Sequence, residues 1–589
     1  MCKAGLCIRG RILVYTGACD AGASGHRPAA HSTTPILEDI TMTLRGIHTA
    51  LALAVVLALA GPGRTQAQQL GTITFPTSGA PAAQPAFLEG VKELHSFQFD
   101  EAGASFRRAQ QLDPTFALAY WGEAMSYNHP LWAQQDTEAA KKTLEKIAPT
   151  LDGRLAKAPT PKEKAYLEAV NQLFYSPGEK LARDAAYSAA LAQMFAKWPD
   201  DHEVATFYAL SLLGTVRPGD KGFRRQALAA SIVEQVFKEN PNHPGAAHFI
   251  IHSFDDPDHA ILALPAARAY AKIAPSAAHA LHMPSHIFVQ LGMWQDVATS
   301  NIVAHKAATE LIARMHLPEG REDFHTLGWL TYANLMLGKF DEAKQNVELA
   351  RQAADRNPGN AGVRNGYLGM RARYILETGQ WEKIALDTPA AADSHGGMPG
   401  MAAMPGMGGQ YGGNAAWVFI AGVSAAKLGD TATADAAVAQ LRGMREKAEA
   451  GGNAYGAKPL AIMEREVGAI ARLVRGQKDE AVTLAKEAAD IELTMDPPSG
   501  PPEPIKPALE LYGEVLLEAD RSKDAIAAFE QSLLRTPKRT PSVLGLARAA
   551  AKAGSATAAR LHYEELTKTA GANAPAVHEA QKFLKSGSY

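Results

Sequence analysis

Five small or apolar residues recur at the same offsets near both ends of this 589-residue chain, and that recurrence limits the fold more than any other feature. Gly90, Ala102, Phe106, Ala109 and Pro114 lie within FLEGVKELHSFQFDEAGASFRRAQQLDP, and Gly513, Ala525, Phe529, Ser532 and Pro537 repeat the spacing within LELYGEVLLEADRSKDAIAAFEQSLLRTP. Small residues where two helices cross, with a proline near the end, describe a helix pair of ~34 residues. Weaker copies turn at Leu291-Gly292, Leu337-Gly338 and Leu428-Gly429. Such a unit cannot bury its apolar face alone, so neighbours stack into one continuous core with a curved inner surface. Alanine is abundant, aromatics are 7% of residues, and no run of β-branched residues alternates at period two, which argues against sheets.

On these residues, from about 84 to 585, the chain resembles the tetratricopeptide-repeat (TPR) superfamily. More closely it resembles a group of large exported bacterial TPR proteins that carry stretches such as AYWGEAMSYNHPLW, HPGAAHFIIHSFDDPDHA and APSAAHALHMPSHIFVQLGMW. The resemblance implies an all-α, TPR-like α-solenoid, a right-handed superhelix of antiparallel helix pairs. It also implies a peptide or protein segment bound in the concave groove, along the first helix of each repeat. It transfers no catalytic residue.

Residues 42–67 have the build of a secretory signal: Arg45, an apolar stretch from Leu51 to Ala60, then Thr65-Gln66-Ala67 as a cleavage-like triplet. The expectation is a periplasmic or secreted protein with no membrane span, because the apolar stretch is shorter than the ~20 residues a spanning helix needs. Residues 1–41 fit neither a signal nor a repeat and read as a mis-assigned upstream extension. Cys2, Cys7 and Cys19 all lie there, so a chain that starts at Met42 has no thiolate. Residues 68–83 read as a linker, 84–393 as TPR-like repeats and 414–585 as further repeats. Two segments interrupt them, a Met/Gly/Pro-rich loop at 394–413 and a proline-rich connection at 497–507.

Ten of the nineteen histidines fall between His243 and His325: His243, His248, His252, His259, His279, His282, His286, His305, His316 and His325. His248 and His252 are four apart, and His279, His282 and His286 follow an i, i+3, i+7 pattern, so each set shares a helix face. His248 to His282 and His252 to His286 are both separated by thirty-four positions, one repeat. The two pairs should therefore occupy equivalent places on neighbouring first helices and converge on a bound ion. Asp255 and His325 add donors near the same stripe, while His243, His259, His305 and His316 read as surface or loop residues.

Imidazoles with a carboxylate and no thiolate suit a transition metal, Zn, Fe or Cu among others. Hydrogen bonding within the groove, without metal, is the simpler use of such rings. In the 394–413 loop, His395, Met398, Met401, Met404 and Met407 form a second candidate, a soft Cu(I) site, although low-complexity padding explains the repeat as simply. Aromatic residues Tyr120, Trp121, Trp132, Trp329, Tyr332 and Tyr367, with His129, are candidate groove walls or ordinary core.

Several functions are disfavoured. Lys+Arg 59 against Asp+Glu 61, with no long basic run, argues against nucleic acid. There is no HExxH, no GxSxG and no P-loop, so a hydrolase would need a base such as Asp255, Asp256 or Glu203 from elsewhere. Three functions stay open: a binding scaffold whose groove carries a multi-histidine metal site and a peptide or protein partner, a metal-dependent hydrolase or oxygen-using enzyme, and a metal-free interaction scaffold.

Overall fold

Capping chemistry punctuates the chain into short helices. Thr160 and Glu163 form a reciprocal capping box on Pro161–Tyr175, Asp201 caps His202–Gly214, and the His243 ring accepts from Ala246 N at the start of Pro244–Ser253. In the computed structural model the described residues are 68–220, 222–316, 323–386 and 412–586, and among them helices dominate, with one two-residue bridge at Asn128–His129 and Gln134–Gln135. The signal-like stretch and the Met-rich loop both lie outside the described residues.

The helices come as antiparallel pairs. The turn between partners needs a left-handed residue, and glycine supplies it at Gly292, Gly338, Gly429, Gly476 and Gly554, with φ from 63 to 83°. In two other pairs the left-handed position is held by Phe97 at φ 53° and Asp520 at φ 62°.

The recurring glycines and phenylalanines of the sequence motif prove to be one packing device used twice. A Cβ on Gly90 would come within 3.0 Å of the Phe106 ring and one on Gly122 within 2.2 Å, while Gly513 and Gly545 stand in the same relation to Phe529 at 2.8 and 2.3 Å. The phenylalanine of each second helix thus fills the hollow left by glycines on two successive first helices. First helices are consequently buried on nearly all sides, whereas second helices such as Phe340–Arg356 bury one alanine-lined stripe.

Two features depart from a simple stack. Residues 68–83, expected to be a linker, are irregular but packed: Leu70 and Phe75 are buried, and the Phe75 ring meets Phe87, Trp121 and Tyr166. Their apolar residues are too sparse to show a period, so the sequence hid their burial.

The C-terminal repeats also fold back onto the central ones. Lys538 O accepts from Trp294 Nε1 at 3.0 Å, Thr540 Oγ1 donates to Met336 O at 2.7 Å, and Gly571 N donates to Leu337 O at 2.9 Å. Arg539, buried, pairs with Glu377 at 2.6 Å and with Glu510 at 2.8 Å. The proline-rich connection runs along the same seam, its Pro498 and Pro502 carbonyls accepting from Gln290 and Arg373.

Candidate metal centre

Three first helices deliver six imidazoles in two groups of the same design. His248 and His252, one turn apart on Pro244–Ser253, meet His279 on Ala278–His282. His282 and His286, one turn apart on the stretch that continues through Pro284–Gln290, meet His325 on Phe324–Met336. Each triad is thus an i, i+4 pair completed by a ring from the next first helix.

The ring nitrogens converge edge to edge. In the first triad the Nε2 atoms of His252 and His279 lie 3.0 and 3.2 Å from His248 Nε2. In the second, those of His286 and His325 lie 3.2 and 2.7 Å from His282 Nε2. Nitrogens bound to one ion at 2.0–2.1 Å are separated by ~2.9–3.6 Å for angles of 90–120°. Three of the four distances fall in that interval, and the His282–His325 distance is a little shorter.

The opposite edges of three rings are committed to acceptors that cannot donate. His248 Nδ1 meets the His95 carbonyl at 2.6 Å, and His286 Nδ1 meets Asp255 Oδ2 at 2.6 Å. His282 Nδ1 meets Asn301 Oδ1 at 2.7 Å, and the Asn301 amide is oriented by its own Nδ2 donating to Val297 O. A neutral ring that donates from Nδ1 carries a lone pair on Nε2. His282 Nε2, turned to accept, therefore faces His286 Nε2 at 3.2 Å in the protein interior. His325 Nε2 can donate to His282 from the next helix, at 2.7 Å.

Five of the six rings are held in the uncharged form. Burial, reinforced by the crowding of neighbouring imidazoles, holds His248, His252, His279 and His325 well below the usual histidine range and pushes His282 down to about 3. Uncharged imidazole is the metal-binding form.

Aromatic side chains close both triads. The Phe97 ring touches all three rings of the first, at centroid distances of 4.4 Å to His248, 5.6 Å to His252 and 5.5 Å to His279. Trp329 does the same for the second, at 5.0 Å to His282, 4.5 Å to His286 and 5.5 Å to His325. Where neighbouring repeats turn on glycine, Phe97 holds a left-handed backbone that costs a non-glycine residue about 1–2 kcal/mol. Backbone strain of that kind clusters at functional sites.

A third group stands behind the first. Glu203 Oε2 lies 2.7 Å from His95 Nε2 and its Oε1 lies 3.1 Å from His243 Nε2, all three residues being without exposed surface. His243 Nδ1 accepts from Ala246 N, so its Nε2 carries the proton and donates to the carboxylate. The two imidazoles outweigh desolvation and hold Glu203 at about 2. Both carboxylate oxygens are engaged without an ion, although His95 Nδ1 is buried without a partner, and the group fixes His95, whose carbonyl in turn holds His248.

The structure sorts the expected residues. The register of thirty-four positions holds, but the rings group by pair plus next helix, so His248 and His282 lie in different triads. Asp255 stands behind His286 as its hydrogen-bond partner. His243, expected at the surface, is fully buried because its side chain caps a helix and holds Glu203. His259 stacks on Phe223 beside Asp256, His305 is half-buried on Trp294–Arg314, and His316 is exposed at its end.

His95, Phe97 and Asn301 drew no notice in the sequence. Among the aromatics, Trp121 is core against Tyr166, Tyr120 donates to Pro114 O, Tyr332 packs under Arg539, and Tyr367 meets Arg371. Trp132 packs directly on Phe97, and His129 backs it through Phe99. His395, Met398, Met401, Met404 and Met407 lie outside the described residues.

No protein-family model and no curated protein matches the chain. Among solved structures, yeast Tom70 is similar at 11% identity over 86% of this chain and 95% of that one, with a TM-score of 0.26. Human IFIT1, as a dimer with m7Gppp-AAAA, is similar at 14% identity over 84% and 91%, with a TM-score of 0.29. The APC/C hetero-tetramer Cut9-Hcn1 is similar at 10% identity over 86% and 97%, with a TM-score of 0.28. The fold stands on the helix pairs themselves: glycine corners, aromatic knobs between first helices and a one-repeat register of histidines make this chain an all-α, TPR-like solenoid.

Proposed function

We propose that this chain is a transition-metal-binding protein on a TPR-like scaffold, each histidine triad holding one ion. The observation that carries the reading is the convergence of three Nε2 atoms in each triad, two of them 2.7–3.2 Å from the third, with the Nδ1 atoms of His248, His282 and His286 already committed elsewhere. Three imidazole nitrogens directed at one buried point can share a cation there as its ligands. The ligands are His248, His252 and His279 in one triad and His282, His286 and His325 in the other. Asp255, Asn301 and the His95 carbonyl orient them, an arrangement known to strengthen metal binding.

The setting is read as periplasmic or secreted, on the signal-like stretch from Met42 to Ala67. A peptide or protein segment is the partner along the concave surface, away from the seam that the chain's own Pro498–Pro502 stretch occupies. No helix of the described residues is long and apolar enough to cross a membrane.

Elemental analysis of protein purified without a histidine tag tests the reading. Near-stoichiometric metal, lost in the His248→Ala/His282→Ala double variant, is expected. Metal-free protein that also takes up no added Zn(II), Cu(I) or Fe(II) would refute it. A metal-dependent enzyme is the second reading, favoured by the three protein ligands in each triad, since catalytic sites keep a position open.

A further inference from the structure

Three features of the paired triads narrow the ion and its use. The donors are six imidazoles, three to a site, with no thiolate or carboxylate oxygen among them. Imidazole suits copper as well as zinc, and three protein donors leave each ion an open position.

Charge favours a monovalent ion. Desolvating an ion costs in proportion to the square of its charge, so a divalent ion in this interior costs about four times a monovalent one. One carboxylate, the partly buried Asp255, stands directly behind a ring, His286; Glu203 is held by His95 and His243 and reaches His248 only through the His95 carbonyl.

The triads also adjoin. His252 and His286 lie 6.1 Å apart by ring centroid, and His279 and His282 lie 6.3 Å apart on one helical stretch. Ligands of one site touch ligands of the other, so one small molecule can reach both ions. Phe97 and Trp329 wall the two sites with hydrocarbon, which favours an uncharged reactant over an anion.

Resting on the reading that the triads bind metal, we propose that the centre is a pair of copper(I) ions, one per triad, that together pass two electrons to one molecule of dioxygen. Each copper goes from Cu(I) to Cu(II), the dioxygen takes both electrons and two protons from solvent, and hydrogen peroxide leaves. A single turnover needs no other reductant. The histidine rings hold both oxidation states, and the Asp255 carboxylate behind His286 stabilises the charge that develops.

The test uses full-length, tag-free protein stripped of metal, titrated with Cu(I) under argon and then given oxygen. The expected result is two copper ions that the His248→Ala/His282→Ala double variant lacks, one dioxygen consumed and one peroxide formed per pair. The oxidised pair should show an electron paramagnetic resonance signal integrating to a small fraction of its copper, because adjoining Cu(II) spins couple. His325→Ala should lose one ion and leave the other with its full signal.

Two copper ions that oxidise independently with full signal, or that do not react with oxygen, would overturn the proposal and leave the metal centre standing. Stoichiometric zinc without Cu(I) uptake would do the same. Uptake of no metal at all removes both readings. The wild-type measurement alone decides, so a misfolded variant protects neither.

Discussion

The His95 carbonyl accepts from His248 Nδ1 at 2.6 Å while the side chain of the same residue is held by Glu203 at 2.7 Å. A carboxylate two residues removed from any ion thus sets the angle of a metal-facing ring. Glu203→Gln keeps the shape but cannot accept from both imidazoles. It should cost about 2–4 kcal/mol of stability and weaken the first triad ~10-fold or more, leaving the second unchanged. Denaturant unfolding with a zinc titration checks this, and an equal loss at both triads would contradict the linkage.

Asp255 plays the corresponding part for His286. Asp255→Asn exchanges a charged acceptor for a neutral one at the second triad, which should lower metal affinity there by ~10–100-fold. Competition against a chelator of known strength measures it. Unchanged affinity would mean that the carboxylate does not act through the ring.

Phe97 is expected to be worth more than its strain. Phe97→Gly relieves about 1–2 kcal/mol of backbone cost and removes a buried ring worth about 3–5 kcal/mol. The variant should be about 1–4 kcal/mol less stable and should exchange metal from the first triad faster. A variant that melts higher than wild type would show that the ring contributes little packing.

Glu93 gives a pH signature. Burial pushes its carboxyl up to about 8. The folded chain therefore keeps a proton that the unfolded chain releases near 4.5, so its contribution is whole below that value and is lost as pH rises towards 8. Glu93→Gln removes the proton requirement. Its advantage over wild type should be absent at pH 4 and grow towards pH 8, by up to ~1.4 kcal/mol per pH unit. The difference between the two proteins isolates this group from the buried histidines, which titrate with the opposite sign.

The repeat architecture was legible because glycines facing Phe106 and Phe529 are demanded by close helix crossing, and that demand leaves a fixed spacing in sequence. The histidine register was legible for the same reason. Membership of each triad was not, since the third ring arrives from the next helix at unequal offsets, twenty-seven positions after His252 and thirty-nine after His286. Glu203 and His95 join His243 across 40 and 148 positions, brought together by the curvature of the array, and no local pattern announces that. Residues 68–83 misled because Leu70 and Phe75 are buried singly, without period.

Arg539 gives the molecule a different way of coming apart. In a linear array each unit leans only on its neighbours, so the ends can fray while the middle holds. Here a guanidinium near one end is clasped by Glu377, 162 positions earlier, and Gly571 is hydrogen-bonded to Leu337. The last repeats cannot melt without unsealing the middle, so heating should give one sharp transition in place of a staircase.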